Sequence, residues 1–251
     1  KETAYFNKCR LFFWDSKEED NMKIQFIYHS CFTVEIAAKV LVFDYYGEGD
    51  LPAYPADSQI YFLNSHSHPD HFSRKILALK EQYPAAEYIL SKDIRFHEEE
   101  RRDWIHSVKA GAEYEIGELK IRTLKSTDVG VAFLVETDKK KIYHAGDLNW
   151  WHWQGEEKYW NNNMASNYKR SVDQLDGETL DAVFLPLDPR LGSAYYWGMK
   201  YFLEHVEARA VFPMHCWGQY EVCRKVMEQP EMKGLLETYY PVERTGQEWI
   251  I

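Results

Sequence analysis

The sequence predicts an α/β domain, with β-sheets covered by helices, over residues 22–251. Three observations carry that prediction. Short apolar, β-branched runs alternate with segments of helical spacing, and such alternation implies sheets packed under helices. The composition is that of a folded domain: 251 residues, 45% hydrophobic and 28% charged, enough apolar surface to offset chain entropy. No Pro/Gly/Ser-rich linker, repeat or low-complexity tract interrupts the chain after Met22, so one domain is expected.

In chain order, residues 15–21 form a charged run that contrasts with the strand-like pattern opened by Met22, and residues 1–21 read as an N-terminal extension. Strands are expected at Ile24–Ile27, Phe32–Ile36, Val40–Phe43 and Ile60–Leu63 from their β-branched and aromatic content. Ser73–Gln82 carries Ile76, Leu77 and Leu79 at helical spacing behind Ser73, a good N-cap. Tyr88–Leu90 is strand-like, and the charged stretch Ile94–His106 reads as a helix. Leu119–Leu124, Val131–Glu136 and Lys141–His144 read as a meander, with Asp138 in its last turn. Asp181–Leu185 and Ala210–Met214 are late strands, and Trp197–Val206 and Tyr220–Met227 are helices.

Charge and cysteine usage narrow the partners. With 30 Lys+Arg against 40 Asp+Glu the net charge is −10, which argues against nucleic acid, since phosphate binding needs clustered cations. The longest basic run, Lys139-Lys140-Lys141, sits beside Glu136 and Asp138 and reads as a solvated turn. Four cysteines without a CxxC are too sparse for a disulfide scaffold and read as free thiols. No segment reaches the ~18 apolar residues of a membrane span, and no signal peptide is visible. A cytoplasmic protein acting on a small molecule, without nucleic acid or membrane as partner and compatible with a homo-oligomer, is expected.

The chemistry concentrates in Asn64-Ser65-His66-Ser67-His68-Pro69-Asp70-His71-Phe72, which directly follows an apolar strand. His66 and His68 alternate, so on an extended segment both rings point one way. Pro69 turns the chain, letting Asp70 and His71 aim at a neighbouring point. Imidazole and carboxylate are ligands for Zn2+ and similar cations. His144-Ala-Gly-Asp147 and Val211–His215 each end a strand on ligand-type residues, and Ala145 and Gly146 permit close backbone approach. Alone, Asp147 would read as a cap and His215 as a buried core histidine; the first motif raises both to candidate ligands.

These residues resemble the metallo-β-lactamase-fold hydrolase superfamily. The HxHxDH signature is His66-Ser67-His68-Pro69-Asp70-His71, Asp44 resembles the early Asp after a strand, Asp147 the bridging Asp, and His215 the last His. Tyr28-His29-Ser30-Cys31-Phe32 resembles the opening of a lactonase-like branch that includes L-ascorbate 6-phosphate lactonases. The resemblance implies a four-layer αβ/βα sandwich of two mixed β-sheets flanked by helices. It implies one metal on His66 and His68, a second on Asp70, His71 and His215, with Asp147 bridging and Asp44 orienting a ligand histidine. One departure is evident: the loop where the family supplies a further His reads Leu124-Lys125-Ser126-Thr127-Asp128-Val129-Gly130. Asp128 is either the substitute ligand or a turn cap. A carboxylate there shifts preference toward harder ions such as Mn2+.

The implied activity is hydrolysis of a small ester, lactone or phosphorylated substrate with one or two Zn2+ ions, or Mn2+ or Fe in their place. Asp70 is the candidate catalytic residue, holding the attacking water and later carrying its proton. The alternatives are a degenerate sensor of the same fold, a nuclease-type phosphodiesterase, and a diiron oxygen-reducing enzyme. The aromatics Trp150, Trp151, Trp153, Tyr159 and Trp160, then Tyr195–Trp197 and Trp217, are candidates for a substrate wall. Lys169, Arg190 and Lys200 are candidates for meeting a substrate anion.

Overall fold

The computed structural model describes residues 21–251, so the expected extension over residues 1–21 lies, apart from Asn21, outside the described residues. Two mixed sheets pack face to face. The first contains β1 (Met22–Tyr28), β2 (Cys31–Ile36), β3 (Lys39–Phe43), β4 (Gln59–Asn64), β5 (Glu87–Ser91) and β6 (Ile105–Val108). The second contains β7 (Glu113–Ile116), β8 (Leu119–Lys125), β9 (Val131–Thr137), β10 (Lys140–His144), β12 (Ala182–Pro186) and β14 (Val211–Met214). A short ribbon pairs β11 (Thr179–Leu180) with β13 (Glu207–Ala208), and β15 (Glu248–Ile250) closes the first sheet beside β1. The orders are β15-β1-β2-β3-β4-β5-β6 and β14-β12-β10-β9-β8-β7. This is the metallo-β-lactamase fold, with two mixed sheets flanked by helices.

The first sheet is buried on both faces, which explains apolar runs without alternation. Leu41, Phe43, Tyr61 and Leu63 face the second sheet, whereas Val40, Val42, Ile60 and Phe62 face a separate cluster with Ile76, Tyr83 and Ala86. Between the sheets Phe32 meets Phe184 with ring centroids 4.5 Å apart. The second sheet is covered by α2 (Lys158–Val172) and α3 (Trp197–His205), where Phe202 stacks on Tyr143 at 5.0 Å.

Most expected elements are present; the short strands β7, β11, β13 and β15 are additions, and four helical stretches differ. The helix expected over Ser73–Gln82 splits into a 3-10 segment, Arg74–Ala78, and a single turn, α1 (Leu79–Gln82); Ser73 does cap it, accepting from Lys75 N. Ile94–His106 is not a helix. Only Glu98–Glu100 turns, and Ile105–Val108 leaves to pair with β5 in parallel. Local charge spacing permits a helix there, but the sheet edge supplies a better partner for the backbone. The 15-residue helix α2 escapes the apolar pattern because its sequence is mostly polar and few of its residues are buried. The last expected helix, over Tyr220–Met227, shortens to α4 (Glu221–Lys225), followed by a 3-10 turn.

Asp138 and Lys139 form the two-residue turn between β9 and β10, both at positive φ, as a hairpin's right-handed twist demands. The topology gathers one set of loops. β3 and β4 run parallel, as do β10, β12 and β14. The β1–β2 turn, the loops after β3, β4, β10, β12 and β14, and the β8–β9 loop therefore emerge at one edge of the sandwich.

Candidate metal centre

Each of those loops delivers a polar side chain to one place. His29 comes from the β1–β2 turn, His66, His68, Asp70 and His71 from the loop after β4, and Asp128 from the β8–β9 loop. Asp147 follows β10 and His215 follows β14. Their donor atoms form two groups, within each of which all atoms lie within 4.8 Å of one another: His66, His68, Asp128 and Asp147, and His29, Asp70, His71 and His215. All seven expected ligands fall in these groups. Asp147 stands between them: Oδ2 is 3.7 Å from His66 Nε2, while Oδ1 is 3.2 Å from His71 Nε2 and 3.4 Å from His215 Nε2.

The donor set fits divalent cations. His29 Nε2, His71 Nε2, His215 Nε2 and Asp147 Oδ1 are buried and make no hydrogen bond among the described residues. Burying four such atoms toward one point without a partner would cost about 1–3 kcal/mol apiece; a cation satisfies them together. Asp128 Oδ2 reaches 3.4 Å from His68 Nδ1, so it stands with the first group. Asp128 is also held as a turn residue, its N–H donating to Ser126 Oγ, so its turn geometry is compatible with a place beside the first group. Thr127 is occupied elsewhere, exchanging hydrogen bonds with the Asn149 backbone.

The supporting residues fix ring orientation. Asp44, fully buried, accepts from Ser65 N at 2.6 Å, Ser65 Oγ at 2.7 Å and His71 Nδ1 at 2.7 Å. That bond places the His71 proton on Nδ1 and turns the Nε2 lone pair to the centre. Asp188 does the same for His215, accepting from Nδ1 at 3.1 Å. The backbone is strained here: His29, Asp44, His215 and Trp217 all have positive φ, each at a cost of order 1–3 kcal/mol.

Protonation follows the packing. Burial, aided by His71, lowers His66 to about 4, so its ring is neutral near pH 7. Burial opposes charge on His215, but Asp147 and Asp188 overcome it and raise the ring to about 10, so a cation at Nε2 would take the place of a proton there. Burial likewise works against the Asp70 and Asp147 carboxylates. Contact with His29 and the charge of His71 hold Asp70 well below the usual range, and His71 and His215 do so for Asp147.

Two functional residues carry little signal in the sequence, and one strand-end histidine is not a donor. His29 is legible only as part of a resemblance; its Nε2 lies 3.4 Å from Asp70 Oδ2. Asp188 offers no local signal, sitting 27 residues from the histidine it orients. His144 spends both nitrogens, donating to Ser30 O at 2.8 Å and accepting from Gly146 N at 3.1 Å, and stacks flat on Phe43. It is a satisfied core residue. A cleft of about 350 Å³ opens over the centre; Trp151, Trp153, Trp160 and Trp217 wall it, whereas Trp150 and Trp197 line a separate depression with Lys169 and Lys200.

Comparison with known proteins agrees with this geometry. The family described as beta-lactamase superfamily domain matches residues 23–158. Igni18, a metallo hydrolase from the archaeon Ignicoccus hospitalis, is similar in structure, with TM-score 0.61 at 16% identity over 92% of this chain and 98% of that one. The metallo-β-lactamase fold protein YhfI from Bacillus subtilis gives TM-score 0.57 at 15% identity over 92% and 100% of the two chains. CmlA, a diiron β-hydroxylase from Streptomyces venezuelae, gives TM-score 0.57 at 12% identity over 92% of this chain and 54% of that one. No curated protein sequence matches the chain. By family match and fold together, the chain belongs to the beta-lactamase superfamily domain family and has the metallo-β-lactamase fold.

Proposed function

We propose that this protein hydrolyses a small ester, lactone or phosphorylated substrate at a two-cation centre. His66, His68 and Asp128 would hold one cation, His71 and His215 with Asp70 or His29 would hold the other, and Asp147 lies within reach of both groups. The observation that carries the reading is the pair of four-donor groups meeting at Asp147, with buried lone pairs aimed inward. Bound there, divalent cations supply Lewis acidity and activate water near neutral pH.

The chain's own residues do the rest. Asp70, ionised and half-buried beside His29, accepts a hydrogen bond from the attacking water and receives its proton. Asp44 and Asp188 hold His71 and His215 in fixed tautomers. The tryptophan walls exclude bulk water and offer flat apolar faces to the body of the substrate.

Zn2+ suits the imidazole-rich set. Asp70, Asp128 and Asp147 add three carboxylates, which favours Mn2+ or Fe more than a wholly imidazole site would. The His29-Ser30-Cys31 turn beside the second donor group supports the lactonase-like reading.

Metal analysis of purified protein joined to a screen of esters, lactones and phosphate esters tests the proposal. Two equivalents of cation with turnover are expected, and Asp70→Asn should lower kcat at least ~100-fold, with cation content measured in the variant to separate loss of the proton acceptor from loss of a ligand. Tight cation without turnover of any substrate would instead identify a sensor, and iron with a charge-transfer band a redox enzyme.

A further inference from the structure

Of the three cations expected to meet a substrate anion, the fold brings one to the cleft. Lys200 pairs with Glu204 at 2.6 Å, and Lys169 lies over the Trp150 and Tyr201 rings, both in the separate depression. Arg190 is the only Lys or Arg among the described residues that line the cleft over the donor groups.

The way Arg190 is held matters more than its charge. Asp188 takes one edge of the guanidinium: Nε donates to both carboxylate oxygens at 3.0 Å, and Nη2 donates to Oδ2 at 2.5 Å. Asp188 is itself fully buried and also accepts from Arg190 N and His215 Nδ1. The guanidinium carbon also lies 4.4 Å from the Trp217 ring centre and 5.6 Å from that of Trp153, while 45% of the side chain stays exposed. The opposite edge, Nη1 with the second Nη2 proton, is uncommitted, and Nη1 makes no hydrogen bond among the described residues. A planar fork held along one edge by a buried carboxylate, with its other edge open, matches a carboxylate or phosphate in two parallel hydrogen bonds, and the hold reduces the side-chain freedom left to lose.

We infer that Arg190, held by Asp188 beside Trp153 and Trp217, is an anion-binding subsite that selects substrates carrying a carboxylate or phosphate on an apolar or aromatic body. This rests on the hydrolase reading above and adds its substrate class. It also gives Asp188 a double task, since one buried carboxylate sets both a histidine of the metal centre and the receptor for the far end of the substrate. The reacting bond and the anion are thereby held at a fixed separation.

The test uses cation-loaded protein and two matched ligands, benzoate and neutral benzamide, titrated by quenching of tryptophan fluorescence in the wild type, Arg190→Gln and Arg190→Lys. Benzoate should bind Arg190→Gln at least ~10-fold more weakly than wild type, with Arg190→Lys in between and benzamide unchanged throughout. Equal benzoate affinity in all three proteins would overturn the subsite. So would equal losses for benzoate and benzamide, which would mean the wall had merely been disturbed. Carboxylated and neutral aryl esters compared in parallel separate the two claims. A rise in KM confined to the carboxylated ester in Arg190→Gln supports both. No ester turnover by any protein, with benzoate selectivity intact, removes the hydrolase reading and leaves the anion site standing.

Discussion

Asp44 sends no atom to the metal centre, yet it satisfies two polar groups of Ser65 and the Nδ1 of His71. An amide in its place can accept at one oxygen only, so Asp44→Asn must leave a Ser65 or His71 proton unpaired or turn the ring. Cation affinity should fall about 10–100-fold, as it does when the outer partner of a ligand histidine is removed, while the fold persists. Competition with a chromophoric chelator measures this; unchanged affinity would show that the ring is oriented by packing alone. Asp128 is the second instructive residue. Asp128→His should move preference from Mn2+ toward Zn2+, and Asp128→Ala should weaken one of the two binding steps selectively. Metal titration by calorimetry resolves the steps, and equal weakening of both would place Asp128 outside the first group.

Among elements, the seam between the sheets depends on a turn without a side chain. Gly130, opening β9 at φ +75°, lies so close to the metal loop that a Cβ would come 2.0 Å from Ser65 O and 2.6 Å from His66 Cβ. Ser65 O is the acceptor for Val131 N, the bond joining β9 to that loop. Gly130→Ala should therefore destabilise by more than about 2 kcal/mol, a fall of roughly 4–8 °C in Tm for a chain this size, and displace His66. Thermal unfolding with and without added cation checks it, and an unshifted Tm would rule out the close approach.

Outside the site, Glu178 clips β8 to β10 by accepting from Arg122 at 2.8 Å and Lys141 at 2.5 Å. The Lys141 hydrogen bond lowers the Glu178 carboxyl against a smaller effect of burial. A depressed folded pKa contributes stability in full above the unfolded value, about 4.3, and loses it as pH falls through the folded value. The groups are partly exposed, so Glu178→Gln should cost only about 0.5 kcal/mol between about pH 5 and 9, less in high salt, and nothing in strong acid. A cost that persists in acid would point to packing rather than charge.

For the whole molecule, the edge of the sandwich concentrates five histidines and three aspartates from both sheets, with several donors buried and unpartnered. Cations that bind this arrangement and not the unfolded chain stabilise by mass action, about 2.7 kcal/mol at one hundred times Kd for one site. Loading one site should raise Tm by roughly 5–10 °C, and a chelator should reverse the shift. A melting curve indifferent to Zn2+, Mn2+ and chelator alike would mean that the donors do not act together. No helix among the described residues is long and apolar enough to cross a membrane.

What the sequence determined by itself was the chemistry of one loop and the order of most strands. His66, His68, Asp70 and His71 are legible because their geometry is local: a strand, an alternation and a proline place four donors within six residues. The strands read clearly because a sheet buried on both faces leaves near-continuous apolar runs. Only the tertiary structure decided which distant groups join them. Asp128 comes within 3.4 Å of His68 because the β8–β9 loop crosses to the loop after β4, and His29 joins the second group from a turn at positive φ. Asp188 meets His215 only once β12 and β14 lie side by side, whereas its hold on Arg190, two residues on, is local. The helix expected over Ile94–His106 gave way for the same reason, since a sheet edge competes for backbone hydrogen bonds and local spacing carries no record of that edge.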